Sequence, residues 1–153
     1  MLKILVPVDG SDYSRRALAE AIKIAGWTDA HLILLHVRTE YVTLVEETVI
    51  DYRLHNRKET EIMSRQLLED MVANLTEEEK GNIDRISEAG KMAKLSLTGE
   101  VADTITEYID KEKIDYVVIG SQGINAGKLR SVFVGSVTRK VLSHAHCPVL
   151  VVK

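Results

Sequence analysis

The sequence predicts a doubly wound α/β fold: an open parallel five-stranded sheet of order 3-2-1-4-5 with helices on both faces, Rossmann-like in outline. Three observations lead there. Short apolar runs, too continuous for strands with one wet face, recur along the chain. Between them lie segments whose apolar residues repeat at helical spacing. Polar, glycine-containing turns follow the first and fourth runs, where an open sheet of this kind carries its ligand.

The first strand is Leu2 to Val8, broken only by Lys3. Gly10-Ser11-Asp12 then opens a helix with Leu18, Ala21, Ile22 and Ala25 on one face, and Gly26 supplies a C-terminal stop. Leu32 to Val37 is the second strand; the short crossover makes it parallel to the first, with a right-handed connection. From Thr39 to Asn56 the pattern is mixed and acidic and reads as a long connection. A helix from about Arg57 to Leu75 places Ile62, Met63, Leu67, Leu68, Met71, Val72 and Leu75 on a buried face, its methionines as core filler.

Between Glu77 and Gly99 the apolar residues permit one or two short strands, with the third strand of the sheet near Met92 to Leu97. A helix from about Glu100 to Glu112 buries Val101, Ile105, Tyr108 and Ile109, and Ile114 to Ile119 is the fourth strand. A last helix from about Gly135 to Ser143 precedes the fifth strand, Val149 to Val152. Five strands thus alternate with four helices.

Composition narrows the class. A chain of 153 residues fits one domain, residues 1–153, and a hydrophobic fraction of 45% with 28% charged residues is ordinary for a globular protein. The net charge of −3 argues against a nucleic-acid partner, and no apolar stretch approaches the ~18 residues of a membrane span. Met1-Leu2-Lys3 leads directly into a strand, unlike a secretory signal, so the expected compartment is the cytoplasm. The single Cys147 excludes an internal disulfide and reads as a small buried residue ahead of the last strand.

In this architecture the residues delivered to the ligand crevice are Pro7 to Ser11, Val37 and its neighbours, and Gly120 to Gly123. The run Gly120-Ser121-Gln122-Gly123, followed by Gly135-Ser136-Val137-Thr138 at a helix start, turns several backbone N–H groups toward one space, which suits a phosphate chain. Taken singly, Asp9 also reads as a turn or capping carboxylate, and Gly135-Ser136 as an ordinary helix start. Gly127, Lys128 and Arg130, in the loop between, read equally as phosphate ligands and as solvated loop residues.

Catalytic signals are thin. The five histidines show no metal spacing and read as helix-end or surface residues. There is no Gly-x-x-x-x-Gly-Lys-Ser/Thr loop and no Gly-x-Ser-x-Gly elbow. No residue is assigned a catalytic or metal-ligating role.

Three stretches together resemble the universal stress protein family: Ile4-Leu5-Val6-Pro7-Val8-Asp9-Gly10-Ser11, Asp115 through Gly123, and Gly135 through Val152. Within that family an ATP-binding subgroup carries Gly-x-x-Gly, a loop, then Gly-Ser or Gly-Thr. Here Gly120, Gly123 and Gly135-Ser136 match, but eleven residues, Ile124 to Val134, fill the loop, two more than the signature.

The resemblance implies that Pro7, Val8 and Asp9 hold the adenosine end, with the Asp9 carboxylate on ribose hydroxyls and Val37 offering backbone groups to adenine. It implies that Gly120, Ser121, Gln122 and Gly123 wrap the phosphates, with Ser136, Val137 and Thr138 donating backbone and hydroxyl hydrogen bonds. A Mg or Mn ion would be held mainly by phosphates. It also implies a homodimer through the edge strand Val149 to Val152. Three readings follow: an ATP-binding stress-response regulator acting as a switch or interaction module, a weak ATPase or nucleotide hydrolase, and a dimeric interaction module that binds no nucleotide.

Overall fold

A computed structural model of the chain describes the backbone of residues 1–39, 49–124 and 134–153, and their side chains except those of 49–56. Five strands, β1 (Lys3–Pro7), β2 (His31–Arg38), β3 (Met92–Thr98), β4 (Tyr116–Gly120) and β5 (Val149–Val152), form one sheet in the order β3-β2-β1-β4-β5. Every neighbouring pair is parallel. The helices are α1 (Asp12–Thr28), α2 (Val49–Ala73), α3 (Glu77–Glu88), α4 (Val101–Glu112) and α5 (Ser136–His144).

Strand alternation divides the core in two. Ile4, Val6, Leu32, Leu34 and Val118 join residues of α1, α2 and α3 on one face, while Leu5, Ile33, Leu35, Val117 and Ile119 join α4 and α5 on the other. The connections leaving β1 and β2 therefore run over one face and those leaving β3 and β4 over the opposite one. The reversal falls between β1 and β4, and opens a crevice at their carboxyl ends.

Four sequence expectations change. The described residues hold five helices, since Glu77–Glu88 is helical where short strands were expected. Its signal is a capping box: Thr76 Oγ1 accepts from the Glu79 N–H, and Glu79 returns a bond to the Thr76 N–H, ahead of buried Ile83 and Ile86. Replacing Thr76 with alanine should cost about 1 kcal/mol of stability, measurable by urea denaturation.

Gly26 does not end α1. The helix continues to Thr28 and closes on Asp29, which takes a left-handed conformation (φ 55°) and donates its N–H to Ala25 O. In α2, already helical at Val49, Ile62 and Met63 face solvent. The buried stripe is Ser64, Leu68 and Met71, continued past the helix end by Leu75, so a serine occupies the inner position where the apolar pattern had placed its neighbours. Finally, His36 lies half-buried on β2, neither at a helix end nor on the surface.

Cys147 is partly buried against the α4/α5 core, and burial with nearby Asp115 and Asp110 pushes its thiol pKa up. That environment suits packing, not nucleophilic chemistry. Among the described residues no helix is long and apolar enough to cross a membrane.

Candidate ligand cavity at the carboxyl ends of β1 and β4

A cavity of about 690 Å³ opens at this crevice, within the range typical of small-molecule sites. It is lined by Pro7, Val8 and Asp9 after β1, by Val37 on β2, by Gly120, Gln122 and Gly123 after β4, and by Gly135, Ser136, Val137 and Thr138 at the start of α5. Ser121 is buried beneath it and does not line it. His36, beside Val37 in the run Leu32 to Val37, lines the cavity as the placement of Val37 and its neighbours implied, whereas Ser14, Leu35 and Thr39 carried no sequence signal of their own.

The turn from β1 into α1 is built by Gly10 and three polar side chains. Gly10 takes φ 81°, which a glycine adopts without strain. Ser11 caps α1 by accepting from the Ser14 N–H (3.1 Å), and the buried Ser14 hydroxyl donates to Ser11 O (2.9 Å). Asp9 Oδ1 accepts from the Ser11 N–H at 3.0 Å and its Oδ2 from the Ile124 N–H at 2.8 Å. The carboxylate therefore joins the β1 turn to the glycine loop after β4, and each oxygen keeps capacity for a further donor.

Gly120 and Gly123 meet different demands. A Cβ at Gly120 would lie 2.8 Å from the Tyr13 carbonyl carbon and 3.0 Å from Ser14 N, so this glycine lets β4 approach α1. A Cβ at Gly123 would lie 2.7 Å from Asp9 Oδ2. Gly123 is what allows loop and carboxylate to share the cavity wall.

The loop closes at its base. Ser121 N–H donates to Val152 O (2.7 Å) and Gly135 N–H to Ser121 O (2.8 Å), which pins the two glycine segments to each other and to β5. The register of Gly123 against Gly135 is therefore set at the neck, independent of the two additional loop residues. Gly127, Lys128 and Arg130 lie outside the described residues.

Gly135 is the N-cap of α5 and has no side chain to cap it. Ser136, Val137 and Thr138 thus present N–H groups without intrahelical acceptors at the positive end of the helix, beside the cavity. The Thr138 hydroxyl is committed inward, donating to Gly120 O at 2.8 Å. Lys140 holds α5 against α4 by bonding Asp103 (2.6 Å) and Glu100 (3.4 Å); its hydrogen bond lowers the Asp103 pKa and raises that of Lys140. Among the described residues no three His, Cys, Asp or Glu side chains gather to hold a metal ion.

Comparison with known proteins agrees with the fold. The profile of the universal stress protein family matches residues 1–153. A universal stress protein of Methanocaldococcus jannaschii is 32% identical over 99% of this chain and 81% of its own length, and one from Bacillus subtilis is 32% identical over 99% and 98%. Among solved structures, the universal stress protein UspA from Lactobacillus plantarum superposes with a TM-score of 0.71 at 29% identity, covering 99% of this chain and 97% of that one. Two neighbours of the same fold, at 22% identity, are described with nucleotide: an Arabidopsis thaliana protein with AMP bound (TM-score 0.63, covering 100% and 92%) and an Archaeoglobus fulgidus protein in complex with dAMP (TM-score 0.64, covering 100% and 98%). With the fold and a profile match from end to end in agreement, the chain belongs to the universal stress protein family.

Proposed function

We propose that this protein is a cytoplasmic, ATP-binding stress-response regulator that acts as a nucleotide-dependent switch or interaction module. One observation carries the reading: a carboxylate, a glycine loop and an uncapped helix N-terminus converge on one cavity at the switch point of the sheet. Pro7, Val8 and Asp9 would hold the adenosine, and Val37 the adenine edge through its backbone. Gly123 and the N–H groups of Ser136, Val137 and Thr138 would hold the phosphates. Gly120 and Gln122 would form the wall beside them, with Ser121 beneath it. A Mg or Mn ion would be carried on the phosphates.

The adenine nucleotides described with the two neighbours support the ligand class. Both Asp9 oxygens already hold backbone N–H groups, which suits an anchor better than a proton-abstracting base. That favours a regulator over a hydrolase. Purified protein should release an adenine nucleotide detectable by mass spectrometry, and after its removal titration calorimetry with ATP and magnesium should show saturable binding. No co-purifying nucleotide and no heat of binding would end this reading.

We further propose a homodimer formed by antiparallel pairing of β5 with its twin. Among the described residues β5 pairs within the sheet only with β4, and Leu150 on it is 43% exposed. Sedimentation at micromolar concentration should give a dimer, and Leu150→Asp should shift it to monomer. A monomeric wild type would refute the pairing.

A further inference from the structure

A second cavity, of about 490 Å³, lies at the other end of the sheet, beside the residues that lead into β2 and β3, and shares no lining residue with the first. It is a groove between α1 and α3. The two helices end at Thr28 and Glu88, and four residues further on each chain reaches the paired Leu32 and Met92. That register brings the helices level, with Ala25 and Gly26 on one side of the groove and Arg85 and Ile86 on the other.

Gly26 is a glycine the fold does not require. A Cβ there would meet nothing within 4 Å, and inside a helix glycine is less stable than alanine. Gly10, Gly120 and Gly123, by contrast, are each demanded by φ or by a close approach. What the bare backbone at Gly26 provides is room. Together with Ala25, Ala30 and Ala89 it leaves an open floor between the buried Ile22 and Ile86, and the Trp27 indole, 79% exposed, stands at the lip.

Two of the three lining cations are already answered: Lys23 by Glu20 at 3.2 Å and the mostly buried Lys91 by Asp29. Arg85 is not. It gives its Nε–H to Gly81 O (3.2 Å) and an Nη2–H to Asn82 Oδ1, both neutral oxygens, and makes no ion pair among the described residues. Both Nη1 hydrogens and one on Nη2 remain, enough for one carboxylate. Glu78 lines the groove about 10 Å up the helix from Arg85, in the first turn of α3 where the helix dipole favours it. With Glu78 and Asp29 on the lining, a multiply charged phosphate is repelled and a single negative charge is matched.

We propose that this groove is a second ligand site, for a planar aromatic carboxylate: the acid on Arg85, the ring over the open floor at Gly26 and flanked by the Trp27 indole. The site stands independently of the nucleotide reading.

Trp27 is the chain's only tryptophan, so its indole N–H gives a single resonance that reports on the groove. The test titrates the full chain with 2-naphthoate, its neutral amide 2-naphthamide, acetate and phenyl phosphate, for wild type, Arg85→Gln and Gly26→Leu. In wild type 2-naphthoate should shift the resonance saturably and bind roughly tenfold more tightly than the amide, the worth of one charged hydrogen bond. Acetate, which lacks the ring, should give no saturable shift. Arg85→Gln should erase the preference for the acid over the amide, and Gly26→Leu should abolish binding of both by filling the floor. Both variants should keep the wild-type melting temperature or exceed it, and both should keep its ATP titration. No saturable shift with 2-naphthoate up to about 10 mM, equal affinity for acid and amide in wild type, or binding that survives Gly26→Leu would overturn the site. Tighter binding of phenyl phosphate would overturn the carboxylate assignment. A resonance that moves with protein concentration alone would place a second copy in the groove and overturn the proposal as well.

Discussion

Gly123→Val is expected to weaken ATP binding by at least about 100-fold while leaving the fold in place. The reason is geometric. The first carbon of any side chain at this position would stand 2.7 Å from Asp9 Oδ2, well inside contact distance, and the atom it meets is the one that holds the Ile124 N–H. Either the carboxylate swings away, removing the anchor for the ribose, or the loop lifts, removing N–H groups from the phosphates. Both outcomes damage the same ligand at opposite ends.

Stability should change little, because Gly123 is exposed and a Cβ there would meet only the Asp9 carboxylate among the described residues. The loss is that of one Asp9 hydrogen bond, about 1 kcal/mol. Calorimetry with ATP and magnesium, alongside urea denaturation, separates the two effects. ATP affinity within threefold of wild type would mean that the Asp9–Gly123 wall is not where the nucleotide sits.

What could be read from the chain follows from what side-chain pattern encodes. Apolar runs disclosed all five strands, the half-buried β3 least clearly, and their alternation with helical stripes disclosed the doubly wound class, because burial leaves its period in hydrophobicity. That class delivers Asp9 and the Gly120 loop to a crevice at the carboxyl ends of the strands. Pattern fails where polarity does the packing. Ser64 is buried through bonds to His36 and Ser96, partners 28 and 32 residues away, so no local window ranks it above Ile62 or Met63. Asp29 ends α1 by adopting a left-handed conformation that Gly26, although better suited to it, was not placed to supply. The missed helix α3 was written in a short code, Thr76-x-x-Glu79, that hydrophobic periodicity alone does not weigh.

The same blindness hides the difference between two glycines three positions apart, and Gly120→Ala exposes it. A Cβ there would lie 2.8 Å from both the Tyr13 carbonyl carbon and Tyr13 Cβ and 3.0 Å from Ser14 N. These belong to the first turn of α1, fixed by the Ser11 cap, and cannot rotate aside as a flexible side-chain tip would. Accommodation requires α1 to move off β4, an interior strand of the sheet, against the packing of Ala17, Leu18 and Ala21 on Val118 and its neighbours. Overpacking of this kind costs about 1–3 kcal/mol, and with main-chain atoms on the receiving side the upper end is expected. For a chain of this size, that is a fall of roughly 6–12 °C in melting temperature at fixed protein concentration. Because Thr138 donates to Gly120 O, the displacement also reaches α5 and its N-terminal N–H groups, so ATP affinity of the folded fraction should fall as well. Gly123→Val should thus lose ligand with the fold retained, whereas Gly120→Ala should lose stability first. A Gly120→Ala protein within 0.5 kcal/mol of wild type in denaturation would show that α1 yields to β4 more readily than its capped first turn implies.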